Sequence, residues 1–236
     1  PDVERRPMDY PNTAGTFQLP ATSIAERQPP VSSRGHANGQ LVVGRHGARR
    51  GLHVESDLEF KWASILDADP DVVYLREQVR VEWADGSKTR IHFFDFVATF
   101  SSCKSIAMIV KPSHRANKPK FQSEVQLLAR SAVQSGFVDE VRVLTEASLD
   151  DARVRNARFL RSVREIDVVA DTNARAVAAQ LLGYVSLADL TAKIGLGGRG
   201  FRALVRLIGE GVLSCVTHEL ICPSTLVQGG KWNENA

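Results

Sequence analysis

The pattern of apolar and polar positions changes period within the middle of the chain, and each period predicts a different element. Leu58, Trp62 and Ile65 recur at helical spacing and indicate a short amphipathic helix. Residues 79–83 then alternate apolar with charged side chains, as expected of a strand with one buried face. A turn-forming stretch follows, and residues 90–100 return as the second strand of a hairpin.

The next elements complete a sheet. Residues 105–110 form an apolar run long enough for a buried strand, which ends on Lys111 just before Pro112. Residues 121–135 have the period of an amphipathic helix, and residues 141–145 predict a last strand. This order predicts an α/β domain in which helices flank a mixed sheet.

Three ionisable residues, Glu59, Asp95 and Lys111, interrupt these otherwise apolar elements. Asp95 lies in the middle of the return strand between Phe94 and Phe96, where an isolated carboxylate is costly to bury. Together the three could form one ionic site.

Each of the three also has a structural interpretation. Ser56 and Glu59 have the spacing of a capping box, in which both side chains satisfy backbone donors at a helix start. Asp95 and Lys111 could form a buried salt bridge. Lys111 alone could be a strand-end lysine whose ammonium group reaches water.

The sequence also carries five short motifs in a fixed order. They are Ser56-Asp57-Leu58-Glu59, Asp69-Pro70-Asp71-Val72, Leu75-Arg76-Glu77-Gln78, Phe94-Asp95-Phe96 and Val110-Lys111-Pro112-Ser113. In order and spacing they resemble TnsA, a metal-dependent nuclease of the PD-(D/E)xK class. TnsA-like proteins are the endonucleases that work beside a separate DDE transposase in two-component cut-and-paste transposons. The resemblance covers roughly residues 50–150.

The resemblance implies a restriction-endonuclease-like fold followed by a small winged-helix domain. It places the catalytic acids on Glu59 and Asp95, which would hold Mg²⁺ or Mn²⁺, and the catalytic lysine on Lys111. The partners it implies are double-stranded DNA, a transposase subunit and a regulatory ATPase.

One position departs from the nuclease pattern. Two residues before the lysine, where the class has a Glu, Asp or Gln, this chain has Ile109. Strand side chains repeat every second residue, so an apolar group replaces a metal ligand. Glu77, Gln78 and Glu124 are candidate substitutes, and their spacing favours none of them.

Arginines concentrate in the last third of the chain. One set, which recurs every third residue of a predicted helix, is Arg155, Arg158, Arg161 and Arg164. Another lies on the third helix of a predicted winged helix-turn-helix and comprises Arg199, Arg202 and Arg206. Both sets suit a DNA backbone, with Arg155, Arg158, Arg161, Arg199, Arg202 and Arg206 as the expected contacts. They could equally pair with acids elsewhere, and the winged helix could contact protein instead.

Composition narrows the class of protein without naming a function. The 236 residues are 43% hydrophobic, enough for real cores, and the net charge of +3 is mild. Three scattered cysteines match neither a zinc signature nor a disulfide framework. No apolar run is long enough to span a bilayer, which predicts no membrane partner, and the scattered cysteines favour a reducing cytoplasm. The resemblance to TnsA implies a nucleoid-associated protein.

The expected organisation has five parts. They are a flexible basic and proline-rich arm (1–40), the endonuclease domain (41–150), an arginine-rich connecting helix (151–173), the winged-helix domain (174–227) and a tail (228–236). Thr172 and Asn173 are expected to cap a helix at the domain boundary.

The predicted function is metal-dependent cleavage of DNA at the ends of a mobile element. The alternative is a nuclease scaffold that binds DNA without cutting it and recruits or regulates other proteins, and Ile109 favours that alternative. A third hypothesis is a subunit whose winged helix contacts only protein.

Overall fold

The computed structural model describes residues 19–27, 38–44, 49–85 and 88–230. Three predicted segments lie largely outside these ranges. They are the arm apart from residues 19–27 and 38–40, the centre of the hairpin turn and most of the tail. Among the described residues, no helix combines the length and apolar character needed to cross a membrane.

A four-stranded mixed sheet flanked by helices forms the first part of the fold, as the sequence predicted. Its strands are β3 (Val72–Asp85), β4 (Lys88–Phe100), β5 (Ser105–Val110) and β6 (Glu140–Leu144). They lie in the order β3-β4-β5-β6, antiparallel except for the parallel pair β5 and β6. The accompanying elements are β1 (Gly39–Val43), β2 (Arg50–Val54), α1 (Asp57–Ala68), α2 (Ser113–Ala116), α3 (Pro119–Gln134) and α4 (Asp151–Ser162).

Two apolar cores lie on opposite faces of this sheet. On one face, α1, α4 and the β1–β2 hairpin pack against Phe96, Met108 and their neighbours. On the other face, α3 covers Val79, Phe94 and Ile109. The sheet is therefore buried on both sides where β4 and β5 pair, which leaves ionisable groups there with little access to water.

Residues 19–27 form a strap along the edge of this domain, and this part of the expectation of a flexible arm is wrong. Ala21 pairs with Arg50 in a parallel bridge, reinforced by a bond from Gly51 N to Ala21 O of 2.7 Å. Ser23 Oγ donates to Glu77 Oε1 at 2.6 Å, and Glu26 N donates to Gln78 O at 3.3 Å. These bonds satisfy polar groups that a solvated tail would leave to water.

The second part of the fold contains three helices and a three-stranded antiparallel sheet. The helices are α5 (Val168–Ala178), α6 (Leu187–Ile194) and α7 (Gly198–Gly209), and the strands are β7 (Val185–Ser186), β8 (Leu213–Cys215) and β9 (Leu226–Gly229). The sheet order is β7-β9-β8. A separate apolar core, which includes Leu190, Leu204 and Val227, holds these elements together.

The predicted domain boundary at Thr172 and Asn173 is wrong, because both residues lie inside α5. The helix starts five residues earlier because Asp167 is its N-cap and accepts a bond from Ala170 N at 3.2 Å. The arginine-rich connecting helix expected at residues 151–173 corresponds to α4, which ends at Ser162. Its Val154 and Ala157 belong to the core that α1 also contributes to.

The strands that follow α7 do not pair within residues 211–222. β8 pairs with β9, whereas residues 219–222 form no strand. Thr225 is buried and its hydroxyl accepts a bond from Cys222 N at 2.9 Å, so the loop is closed by side-chain bonds.

Arg206 is not on an exposed helix face, contrary to the expectation for a DNA contact. Its residue is only 8% exposed. Its guanidinium donates to Asp171 Oδ1 from Nε at 2.8 Å and to Val163 O from Nη1 at 2.9 Å. Arg206 therefore pairs with an acid of the same fold, as the alternative to DNA binding predicted.

We expect Arg206→Ala to lower the free energy of unfolding by about 3 kcal/mol, because the substitution leaves the partly buried Asp171 without its cation. The matched control is Arg202→Ala one turn earlier on α7, which is exposed and should change stability by less than about 0.5 kcal/mol. Urea unfolding of both variants measures this difference. Equal stability of the two variants would contradict the buried ion pair.

Candidate functional site

Glu59, Asp95 and Lys111 line one open cavity of about 360 Å³. Its other described lining residues are Arg27, Glu55, Ile91, His92, Phe93 and Ile109. The structure thus brings together the three residues that the sequence singled out, although they come from a helix start, a strand centre and a strand end.

Glu59 belongs to a capping arrangement and faces the cavity as well. Ser56 Oγ accepts a bond from Glu59 N at 3.1 Å and donates to Glu59 Oε1 at 2.9 Å, while Glu55 N donates to Glu59 Oε2 at 2.8 Å. The capping interpretation is therefore confirmed, and it fixes the carboxylate in place. Burial raises the pKa of the Glu59 carboxyl, and these hydrogen bonds partly offset that effect.

Asp95 is the most perturbed acid of the site. Val110 N donates to its Oδ2 at 2.7 Å, so the paired strand β5 holds the side chain. Burial, followed by the negative charge of Glu59, raises the pKa of Asp95 to about 7. The hydrogen bond from Val110 and the charge of Lys111 act in the opposite direction but do not cancel it. The Asp95 carboxyl therefore keeps its proton to a higher pH than an exposed aspartic acid does.

Lys111 follows β5, where its backbone N donates to Leu144 O at 3.0 Å on the parallel strand. No salt bridge joins Lys111 to Asp95, so the two do not form the buried pair that was one structural interpretation of them. Ile109 is 1% exposed and packs in the α3 core while lining the same cavity. An apolar side chain does occupy the position expected for a further ligand.

Among the proposed substitutes for that ligand, Gln78 is the one placed beside Asp95. Its Nε2 lies 3.5 Å from Asp95 Oδ1, and its residue is 1% exposed. Gln78 has a φ of 48°, a strained value for a residue with a side chain. Glu77 points elsewhere, with Oε2 2.7 Å from Arg50 Nη1. Glu124 is exposed and pairs with Arg90.

His92 is a further member of the cavity wall. Burial and then the charge of Lys111 lower the pKa of His92 to about 4, so its imidazole is neutral at pH 7. Its ring meets Phe94 edge-on, with centroids 5.1 Å apart. Its Nε2 is buried and has no partner among the described residues.

The donor set fits a hard divalent cation. Two carboxylates face one cavity, each retains acceptor capacity beyond its hydrogen bonds, and their mutual repulsion is what a cation would relieve. Mg²⁺ often takes only one or two carboxylates and completes its shell with water. Within the described residues, no group of three or more His, Cys, Asp or Glu is placed to hold a metal, so a cation here would depend on Glu59, Asp95 and water.

Some of the six predicted DNA contacts are exposed, and the others are paired with carboxylates or carbonyl groups of the protein. Arg155, Arg158 and Arg202 are exposed, and the Arg158 guanidinium lies 5.4 Å from the centre of the Phe60 ring. Arg199 is half exposed and bound to Asp167 at 2.7 Å.

Arg161 and Arg206 are not on the surface expected of them. Arg161 donates to Val42 O at 3.3 Å and lies 3.7 Å from Asp67, so it joins α4 to the first strand. Helical spacing alone does not distinguish the face of α4 that packs from the face that is solvated.

Neither a scan against protein-family models nor a search of curated proteins found a match to this chain. The resemblance to TnsA therefore remains an inference from motifs and their order.

Arg27 and Glu55 are the site residues that the sequence analysis missed. Arg27 lies in a segment without apolar period, and only its docking brings it to the cavity. Glu55 directly precedes the capping serine, a position next to Glu59 that offered a weak signal.

We expect the stability of the metal-free protein to depend on Asp95 and pH. A carboxyl whose pKa is raised on folding stabilises the native state below its unfolded value, about 4, and this contribution is lost as pH rises through about 7. Relative to Asp95→Asn, the wild-type protein should therefore lose free energy of unfolding between those pH values. Urea unfolding with a chelator measures it, and a constant difference from pH 4 to 8 would contradict the raised pKa.

Proposed function

We propose that this protein is a metal-dependent DNA endonuclease of the TnsA kind, which hydrolyses a phosphodiester at the ends of a mobile element. The observation that carries the proposal is the shared cavity of Glu59, Asp95 and Lys111, in which two carboxylates repel each other and a lysine lies nearby. The motif order described above supplies the family, and the mixed sheet flanked by helices is compatible with it.

In this proposal Glu59 and Asp95 bind Mg²⁺, with Mn²⁺ as a substitute. When bound, the cation supplies charge stabilisation at the phosphate. Lys111 orients the attacking water and offsets the negative charge of the phosphate. The hydrogen bonds from Glu55 N, Ser56 and Val110 N hold the two carboxylates in position.

The second part of the fold is proposed to be a winged-helix domain that binds double-stranded DNA. Its three helices and three short antiparallel strands have the order that this architecture requires. The exposed Arg155, Arg158 and Arg202 would contact phosphates. The resemblance implies two protein partners, a transposase subunit and a regulatory ATPase. It also implies that the protein is associated with the nucleoid.

A scaffold that binds DNA without cutting it is the second candidate function. It is favoured by Ile109, which is buried and lines the cavity where the nuclease class has a ligand. Without a third acidic ligand, metal affinity depends on two carboxylates and water.

Nicking of a supercoiled plasmid that carries candidate element ends distinguishes the two functions. With Mg²⁺ or Mn²⁺ and partner subunits present, we expect Asp95→Ala and Lys111→Ala each to lower the nicking rate at least about a hundredfold, because each removes a group that stabilises charge at the phosphate. Lys104→Ala, just before β5 and away from the cavity, is the control and should nick like the wild type. No nicking by the wild type alongside intact DNA binding would leave the scaffold function.

Contacts with phosphate can be tested separately from cleavage. We expect Arg155→Ala and Arg202→Ala each to reduce the slope of log affinity against log salt concentration by about 1, because each removes a phosphate contact. Arg206→Met should keep the wild-type slope if the variant is folded, because Arg206 is already bound to Asp171. Fluorescence anisotropy with a labelled duplex measures these slopes, and unchanged slopes for both exposed arginines would contradict DNA binding by these helices.

A further inference from the structure

The strap of residues 19–27 ends at the cavity that contains Glu59, Asp95 and Lys111. Its last described residue, Arg27, lines that cavity. Arg27 and Lys111 are the two cationic side chains among the described residues of the cavity wall. The strap lies outside the span of the motif resemblance, and no role follows for it from that resemblance.

The strap is attached through buried chemistry. Ser23 Oγ bonds Glu77, which is fully buried and lies 2.7 Å from the Arg50 guanidinium. Releasing the strap would remove one of the partners of that buried carboxylate, which is costly. Ser23 therefore fixes the strap four residues before Arg27.

A second anchor lies closer to the cavity. Glu26 N donates to Gln78 O at 3.3 Å, and the Glu26 carboxylate pairs with Arg76 at 2.7 Å. Gln78 is the strained residue whose amide lies beside Asp95. The backbone just before Arg27 is thus bound to the strand residue that touches the buried acid, so the strap and the acidic pair share one support.

The Arg27 side chain is held at the cavity but only part of its hydrogen-bonding capacity is satisfied there. Its guanidinium donates to Glu55 Oε1 at 2.7 Å and lies 5.4 Å from the centre of the Phe93 ring. Its side chain remains 43% exposed. Within the described residues Glu55 is its one hydrogen-bond partner, so most of its N–H donors remain available.

We propose that Arg27 is a phosphate-binding residue of this site and contacts the DNA backbone next to the bond that is cut. A planar guanidinium binds a phosphate through two parallel hydrogen bonds, which a lysine cannot do. The ring of Phe93 and the strap fix its position, and Glu55 holds it until DNA arrives. This inference rests on the proposed function, because it assigns the DNA phosphate to the same cavity.

The test measures DNA binding and cleavage separately, so that the two proposals can fail independently. Affinity for a labelled duplex is measured with Ca²⁺ against salt concentration, and single-turnover nicking is measured with Mg²⁺. We expect Arg27→Ala to reduce the salt slope by about 1 and to lower nicking at least tenfold at subsaturating DNA. Arg27→Lys keeps the charge but not the paired hydrogen bonds, and should recover the slope but only part of the nicking rate.

Two further variants exclude a merely structural role. Arg80→Ala is the matched control, because Arg80 is similarly exposed at 41% and also bound to one carboxylate, Glu82, but lies outside the cavity wall. It should leave both readouts unchanged. Glu55→Gln breaks the ion pair but keeps the guanidinium, so we expect DNA affinity to stay or rise. If Arg27 only pinned the strap, Glu55→Gln would reproduce the defect of Arg27→Ala.

The outcomes separate the two proposals. If the wild type nicks DNA and Arg27→Ala has the same salt slope and nicking rate, the role of Arg27 is overturned and the proposed nuclease function stands. Wild-type binding without nicking, together with a reduced slope for Arg27→Ala, would overturn the nuclease and support the phosphate contact. Absence of wild-type binding would overturn both.

Discussion

The burial of Asp95 next to a second carboxylate is the constraint on which the rest of the candidate site depends. The sheet is covered on both faces where β4 and β5 pair, so Asp95 has little water to stabilise its charge. Its pKa rises for that reason and because Glu59 faces the same cavity. Strongly perturbed carboxyl groups in a cleft are enriched at functional sites, which makes this cavity the candidate site.

The surroundings of the pair restrict its movement rather than neutralise it. A helix cap holds Glu59, and a backbone N–H of β5 holds Asp95. Next to them, Gln78 has a left-handed φ, and its carbonyl oxygen accepts a hydrogen bond from Glu26 N of the strap. Strain of this kind, of about 1–3 kcal/mol, persists only where neighbouring contacts fix the backbone, and it concentrates at functional sites. The fold thus holds both carboxylates in fixed positions through hydrogen bonds.

Local patterns predicted the elements, and the three residues that they singled out line one cavity. The helix start at Ser56, the apolar strand before Lys111 and the mixed sheet all follow from period and capping chemistry, which act within a few residues. The environment of Asp95 could also be anticipated, because Phe94 and Phe96 flank it. Its pairing with Val110 N could not, since that bond depends on the register of two strands.

Features that depend on tertiary contact were missed or predicted wrongly. The strap has no apolar period, and its position comes from single bonds such as that of Ser23 to Glu77. Arg206 and Arg202 have the same character in sequence, yet one is buried against Asp171 and the other exposed. A basic stripe on a helix therefore does not reveal which arginines are available to a partner.

Binding of Mn²⁺ to the DNA-free protein tests the central claim most directly, because it requires no cleavage and no partner. Calorimetric titration should reveal saturable binding that Mg²⁺ displaces and that Glu59→Gln or Asp95→Asn removes. Lys104→Ala, which leaves the cavity untouched, should bind as the wild type does. Binding that persists when both carboxylates are replaced, or no saturable binding at all, would contradict a cation site built from this pair.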